Sequence, residues 1–223
     1  MVQPLAVAFD CDGVLAENGS SWQAIHEGFG TENKKMLAKF IAQEIDDDEF
    51  MADDVAKWMR AKGRIHKDDI ARCYGGIRLM PGAREVVGRL QERGVIVAIV
   101  SSGVDIFVGM IAAMLKVDDW VANGFDWNED GWMNGPAPSR VLSFQKGRMV
   151  DKLMRINDLS SNQIVSVGDS GSDLSMMIEG SSFIGFNPSG TWSVDAFNNA
   201  GVPIVKSRDL RDIWPILMDG EEF

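Results

Sequence analysis

Three polar runs in this chain directly follow short apolar ones, and each is rich in oxygen donors. Asp10-Cys11-Asp12-Gly13-Val14 follows the apolar residues 5–9, Ser101-Ser102-Gly103 follows residues 95–100, and Gly168-Asp169-Ser170-Gly171-Ser172-Asp173 follows residues 164–167. Any one of them alone is ordinary punctuation between a strand and a helix. Together they mean more, because a parallel sheet brings the loops at its carboxyl ends to one crevice, where ligands of open α/β folds bind. Four carboxylates meeting there, Asp10, Asp12, Asp169 and Asp173, cannot all stay ionised without a cation, since like charges raise one another's pKa. An all-oxygen donor set points to Mg²⁺, which uses few carboxylates and leaves positions for water and phosphate oxygens. An EF-hand calcium loop is excluded, because Val14 and Leu15 break its required spacing. Ser101 and Ser102 offer hydroxyls and backbone N–H groups at the entrance to a helix, a seat for a phosphate. Lys146, at the start of a later helix, is the candidate counter-charge, with Lys152 as its competitor.

The elements that must position these groups are legible from periodicity. Residues 5–9, 95–100, 164–167, 183–186 and 203–205 are apolar runs too short for helices and are expected to be strands. Helical patterns separate them, near 83–93, 105–115, 146–156, 173–179, 192–199 and from 209 onward. Glu129-Asp130-Gly131 is expected to turn a hairpin between 121–127 and 132–133. Residues of about 16–79 differ, with no strand-like run and two charged amphipathic helices near 33–45 and 53–61. The expected fold is therefore α/β: a Rossmann-like parallel sheet with helices on both faces, formed by 1–15 and 80–223, and a small helical cap, 16–79, inserted after the first strand.

Composition sets limits. With 22 Lys+Arg against 33 Asp+Glu the net charge is −11, which argues against nucleic acid or an anionic membrane as partner. The two cysteines, Cys11 and Cys73, form no CxxC pair, so neither a disulfide framework nor a zinc site is supported. No leader pattern opens the chain and no apolar run approaches the length of a membrane span, so the expected location is cytoplasmic. A phosphate-binding Walker loop is absent. The two histidines, His26 and His66, fall in the helical segment without recognisable partners and are expected at the surface or at helix caps, not in a Ser-His-Asp triad.

Asp10-Cys11-Asp12-Gly13-Val14, Ser101, Lys146 and Gly168-Asp169 with Asp173 together resemble the four-motif signature of the haloacid dehalogenase-like hydrolases, over nearly the whole chain. Val100-Ser101-Ser102-Gly103-Val104-Asp105, Lys146-Gly147-Arg148 and Asp173-Leu174-Ser175-Met176 resemble the phosphoserine phosphatase-like group within it. The resemblance implies Asp10 as a nucleophile that forms an aspartyl-phosphate, and Asp12 as general acid and base. It implies Mg²⁺ held by Asp10, the main-chain carbonyl of Asp12 and Asp169, with Asp173 behind them, and a phosphoryl group bound by Ser101, Ser102 and Lys146. The inserted helices would be a cap of the C1 type, with Trp22, His26, Trp58, Arg60 and Arg64 as candidate specificity residues. Two departures stand out: Gly19 occupies the place of an acidic residue that contacts the amino-acid head of phosphoserine, and Ser172 stands where the group often has Asn. The expected activity is hydrolysis of a small phosphate monoester, phosphoserine-like, by a monomer or homodimer. A sugar phosphate or another small phosphorylated acid, or a non-catalytic module holding a phosphorylated metabolite, are the alternatives.

Overall fold

An uncharged run that must be covered on both faces becomes a central strand. In the computed structural model, which describes residues 3–223, this is β1 (Ala6–Phe9), buried along its whole length. Val7 and Phe9 join one apolar cluster and Ala6 and Ala8 another, the two-residue alternation of a strand between two layers. Four helices follow it, α1 (Ser21–Phe29), α2 (Lys34–Ile41), α3 (Asp47–Lys62) and α4 (Lys67–Cys73). The βα alternation then resumes with α5 (Ala83–Glu92), β2 (Ile96–Val104), α6 (Asp105–Leu115) and β3 (Asp119–Asn123). A hairpin, β4 (Phe125–Trp127) and β5 (Met133–Pro136), precedes α7 (Gly147–Ile156), β6 (Ile164–Gly168), β7 (Ser182–Phe186), α8 (Thr191–Ala200), β8 (Ile204–Val205) and α9 (Trp214–Leu217).

The main sheet has the order β3-β2-β1-β6-β7-β8, and every pairing in it is parallel. Val86 and Leu90 of α5 and Phe107 and Ile111 of α6 pack on the Val7–Phe9 side, with Val150 and Leu153 of α7 and Phe197 of α8 on the other. The expected α/β sheet covered on both faces is thus present. The order reverses between β1 and β6, which sets the ligand crevice beyond their carboxyl ends.

Several local expectations are corrected. β2 does not stop at Val100; it runs on through Ser101, Ser102 and Gly103, and its register against β3 shifts between Val100 and Val104, so the stretch expected to seat a phosphate is an irregular strand end and not a loop. The helix expected near 173–179 is a 3-10 turn over Gly171–Met176, because the Asp173 carboxylate accepts from the backbone N–H groups of Asp169 and Ser170 and tightens the chain at its start. The last helix is likewise 3-10 over Leu210–Ile213 before a short α9. Val121 belongs to β3 of the main sheet; the hairpin is β4 and β5 alone, its turn held by Asn128 Oδ1, which accepts from the N–H groups of Asp130 and Trp132. Phe125 packs on Trp22 and Trp58, so the hairpin leans on the inserted helices.

Within those helices, α3 begins at 47 and not near 53. Asp46 accepts from Glu49 N at 2.8 Å, Glu49 accepts from Asp46 N at 3.2 Å, and acidic residues fill the first turn, which favours a helix start there. α2 stops at Ile41, short of residue 45, where Gln43 turns left-handed at φ 57°. His66 caps α4, as expected of a cap residue. His26 departs from expectation: it is fully buried, with Nε2 3.0 Å from Asp54 Oδ1 and Nδ1 2.7 Å from Thr31 Oγ1, and it accepts from Trp58 Nε1 at 3.1 Å.

Candidate active site

Asp10 is the first residue beyond β1, and its N–H donates to the Val167 carbonyl at 2.8 Å, which locks the ends of β1 and β6 side by side. Asp169 is the first residue beyond β6. Lys146, just before α7, reaches between the two strand ends: its Nζ donates to Asp10 Oδ1 at 2.7 Å and to Asp173 Oδ1 at 2.6 Å, with only 2% of its side chain exposed. Lys152, one and a half turns on, is exposed, so burial decides between the two lysines. Asp173 is pinned from its other oxygen by the N–H groups of Asp169 and Ser170 and the Ser170 hydroxyl.

The Asp12 side chain turns away from this cluster. It accepts from Asn18 Nδ2 at 2.9 Å and from Ser21 Oγ at 2.7 Å. Ser21 in turn accepts from Val104 N at 3.0 Å, so the start of α1, the end of β2 and Asp12 share one hydroxyl. Two glycines make the packing feasible. Gly13 has φ +77°, and a Cβ there would lie 2.7 Å from Asp169 Oδ2; a Cβ at Gly103 would lie 2.6 Å from both Asp12 Oδ2 and Ser21 Oγ. Ser101 is buried and its hydroxyl accepts from Gly103 N at 3.0 Å. The Ser102 carbonyl accepts from Trp22 Nε1 at 3.0 Å, tying the helical segment to the strand end.

Electrostatics follow from crowding in a buried place. Burial pushes the Asp10 carboxyl up to about 7, with Lys146 opposing and Asp173 and Asp12 adding to the rise. Burial also raises Asp12, while the hydrogen bonds from Ser21 pull it back toward the charged form. Asp169 stands well above the usual carboxylate range through burial and then the charges of Asp173 and Asp10. Burial alone would lower Lys146, but the charges of Asp10 and Asp173 outweigh it and hold the ammonium above the usual lysine range. Carboxylate oxygens of Asp10, Asp169 and Asp173 all lie within 4.8 Å of one another. Three buried carboxylates crowded this closely suit a hard divalent cation, which would relieve their mutual repulsion.

These groups line a cavity of about 560 Å³, which Ser101, Ser102 and Trp22 also line. Of the other candidate specificity residues, Trp58 and His26 are fully buried, Trp58 packing on Trp22, His26 and Phe125, and Arg60 and Arg64 are exposed; none of the four lines the cavity. Sequence reasoning passed over Asn18 and Ser21, whose donors hold Asp12, and Asp47, which accepts from Ser143 N and Oγ. It also passed over an apolar wall from α2; Leu37, Phe40 and Ile41, at helical i, i+3, i+4 spacing, were the available signal.

The family model of the haloacid dehalogenase-like hydrolases matches residues 7–177, from β1 through the Asp169–Asp173 turn. The chain belongs to that family. Among its relatives is the phosphoserine phosphatase of Archaeoglobus fulgidus, 29% identical over 183 residues, a match covering 81% of this chain and about half, 52%, of that protein. The phosphoserine phosphatase of Methanocaldococcus jannaschii is 28% identical over 176 residues, covering 76% of this chain and 79% of that one. A solved phospho-aspartyl intermediate analogue of phosphoserine phosphatase superposes with a TM-score of 0.80 at 25% identity, covering 96% of this chain and 99% of the other. A substrate-bound phosphoserine phosphatase complex shares the fold, with a TM-score of 0.79 at 22% identity over 97% of this chain and 100% of that one. No helix among the described residues is long and apolar enough to cross a membrane.

Proposed function

We propose that this haloacid dehalogenase-like hydrolase is a Mg²⁺-dependent phosphatase of small organic phosphate monoesters, with residues 16–79 as a cap over a core of 1–15 and 80–223. The observation that carries the reading is the placement of two unlike carboxyls in one cavity: Asp10 held by Lys146, and Asp12 held apart by Ser21 and Asn18. A pure binding module has no use for that second acid.

In the first step an Asp10 oxygen attacks phosphorus, and the bond from phosphorus to the ester oxygen breaks. Asp12, whose raised pKa keeps a proton available, gives that proton to the departing alkoxide. In the second step Asp12, now a carboxylate, takes a proton from water as the water oxygen attacks the phosphorus of the aspartyl-phosphate. The bond to Asp10 breaks, and inorganic phosphate leaves. Ser101, the Ser102 backbone and Lys146 neutralise charge on the transferring group. Asp10, the Asp12 carbonyl and Asp169 would hold Mg²⁺, with Asp173 orienting Lys146; the cation, when bound, supplies charge for the phosphoryl oxygens. The names of the relatives make phosphoserine the first substrate to try.

The deciding measurement is phosphate release from a panel of phosphorylated metabolites with and without Mg²⁺. Asp10→Asn protein is expected to lose turnover at least a thousandfold, on the order of what losing a covalent nucleophile costs. Wild-type rates from that variant would remove the nucleophile assignment. Tight binding of a phosphorylated ligand without turnover, unaffected by Asp12→Asn, would instead favour a binding module.

A further inference from the structure

The phosphate end of the cavity is polar, but the space beyond it is walled by apolar side chains. α2 carries no buried residue, although Leu37, Phe40 and Ile41 form one apolar face that lines the cavity. Leu37 is 40% and Ile41 47% exposed, so large apolar groups stand open to water at the very place a substrate enters. Phe40 stacks on Phe50 with ring centroids 4.7 Å apart and meets Phe144 of the core at 5.7 Å, continuing the wall across to the segment before Lys146. Trp192, 47% exposed, stands on the rim beside the Asp169–Asp173 turn.

A free cation is missing where the carboxylate of an amino-acid head would need one. Among the described residues lining the cavity there is no Arg, Glu or His. Lys146 is committed to Asp10 and Asp173, and Asp47 to Ser143. Gly19 lines the same cavity and brings no side chain. A zwitterionic head taken into this space would leave its carboxylate without a cationic partner, a heavy desolvation cost. Away from the carboxylates, the polar lining is neutral, as in Ser20, Gln23 and Asn33. The volume of about 560 Å³ lies in the range, about 300–1,000 Å³, of sites that enclose ligands far larger than serine.

We infer that the leaving group this site accepts is an uncharged, largely apolar organic group, and that the α2 face with Phe50 and Phe144 selects it. The inference rests on the phosphatase reading and narrows its substrate to phosphate monoesters of apolar alcohols or phenols, away from phosphoserine.

The test uses the full chain with Mg²⁺ and compares kcat/KM for ethyl, butyl and hexyl phosphate, phenyl phosphate and phosphoserine. In parallel, binding of the same compounds to Asp10→Asn protein is followed by tryptophan fluorescence, for which Trp22 and Trp192 at the cavity are reporters. The expected result is a rise of about fourfold per added methylene, the equivalent of burying each one, with phosphoserine below butyl phosphate. Leu37→Ser and Ile41→Ser, at exposed positions that the fold tolerates, should each flatten the hexyl-to-ethyl ratio severalfold. A flat series, or phosphoserine above hexyl phosphate, overturns the proposal. If no monoester is turned over, the phosphatase reading falls and the binding series decides: affinity rising with chain length supports the apolar site, and level affinity overturns it.

Discussion

The hydroxyl of Ser21 donates to Asp12 Oδ2 at 2.7 Å while accepting from the backbone of Val104, so the first residue of the inserted helices sets the carboxyl assigned as acid and base. The donor favours the ionised carboxylate against the burial that raises it. Ser21→Ala should therefore raise the pKa of Asp12 further and move the limb of the pH–rate profile that Asp12 sets to higher pH. A hydrogen bond to a charged group contributes about 1.5–3 kcal/mol, so the rate should fall roughly 10- to 100-fold. A profile unmoved in position would show that Ser21 only anchors the helix.

Lys146 is buried between two carboxylates, and removing it strands them. Lys146→Met should destabilise the protein at pH 8 by about 3–5 kcal/mol in urea unfolding, as loss of one member of a buried ion pair does. At pH 5 the loss should be smaller, because Asp10 and its neighbours can then take up protons. Equal losses at both pH values would contradict the ion-pair account.

The raised pKa of Asp10 also sets a pH dependence when a chelator keeps cations away. The folded protein holds that proton up to about 7, whereas an unfolded chain releases it near 3.8. The stability this provides is complete below about 4 and is lost as pH rises through 7. Urea midpoints with chelator should decline across that window, and Asp10→Asn should flatten the decline. Saturating Mg²⁺ should restore more stability at pH 8 than at pH 5, about 2.7 kcal/mol at a hundred times its dissociation constant.

Gly103 sits where a methyl group would press on Asp12 Oδ2 and Ser21 Oγ, each 2.6 Å from the added carbon. Gly103→Ala should lower kcat/KM about a hundredfold by displacing the acid. Gly88, inside α5 with open space around its Cβ position, is the control. Gly88→Ala should leave activity alone and add roughly 0.5–1 kcal/mol of stability.

The α/β layering and the three motif-bearing strands were legible because a strand buried on both faces must be short and apolar, and because its carboxyl end must turn through polar residues. Asp10 and Asp169 were singled out on that ground alone, whereas Lys146 was a candidate at a helix start with Lys152 as its competitor. Harder to see was the Ser101–Gly103 stretch, which looks like a turn by composition but is carried along as strand by its pairing. His26 looked solvent-facing because its partner Asp54 lies on another helix.

By itself the sequence determined the family, the sheet, and the identity of the acidic and hydroxyl groups at its carboxyl edge. All of these depend on residue type and on spacing within one strand-turn unit. Only the tertiary structure decided which lysine is buried, what holds Asp12, and that the α2 face opens onto the cavity that Asp10 and Lys146 line. Those depend on contacts between residues far apart in the chain, such as Lys146 with Asp10 and Phe40 with Phe144, which local periodicity does not encode.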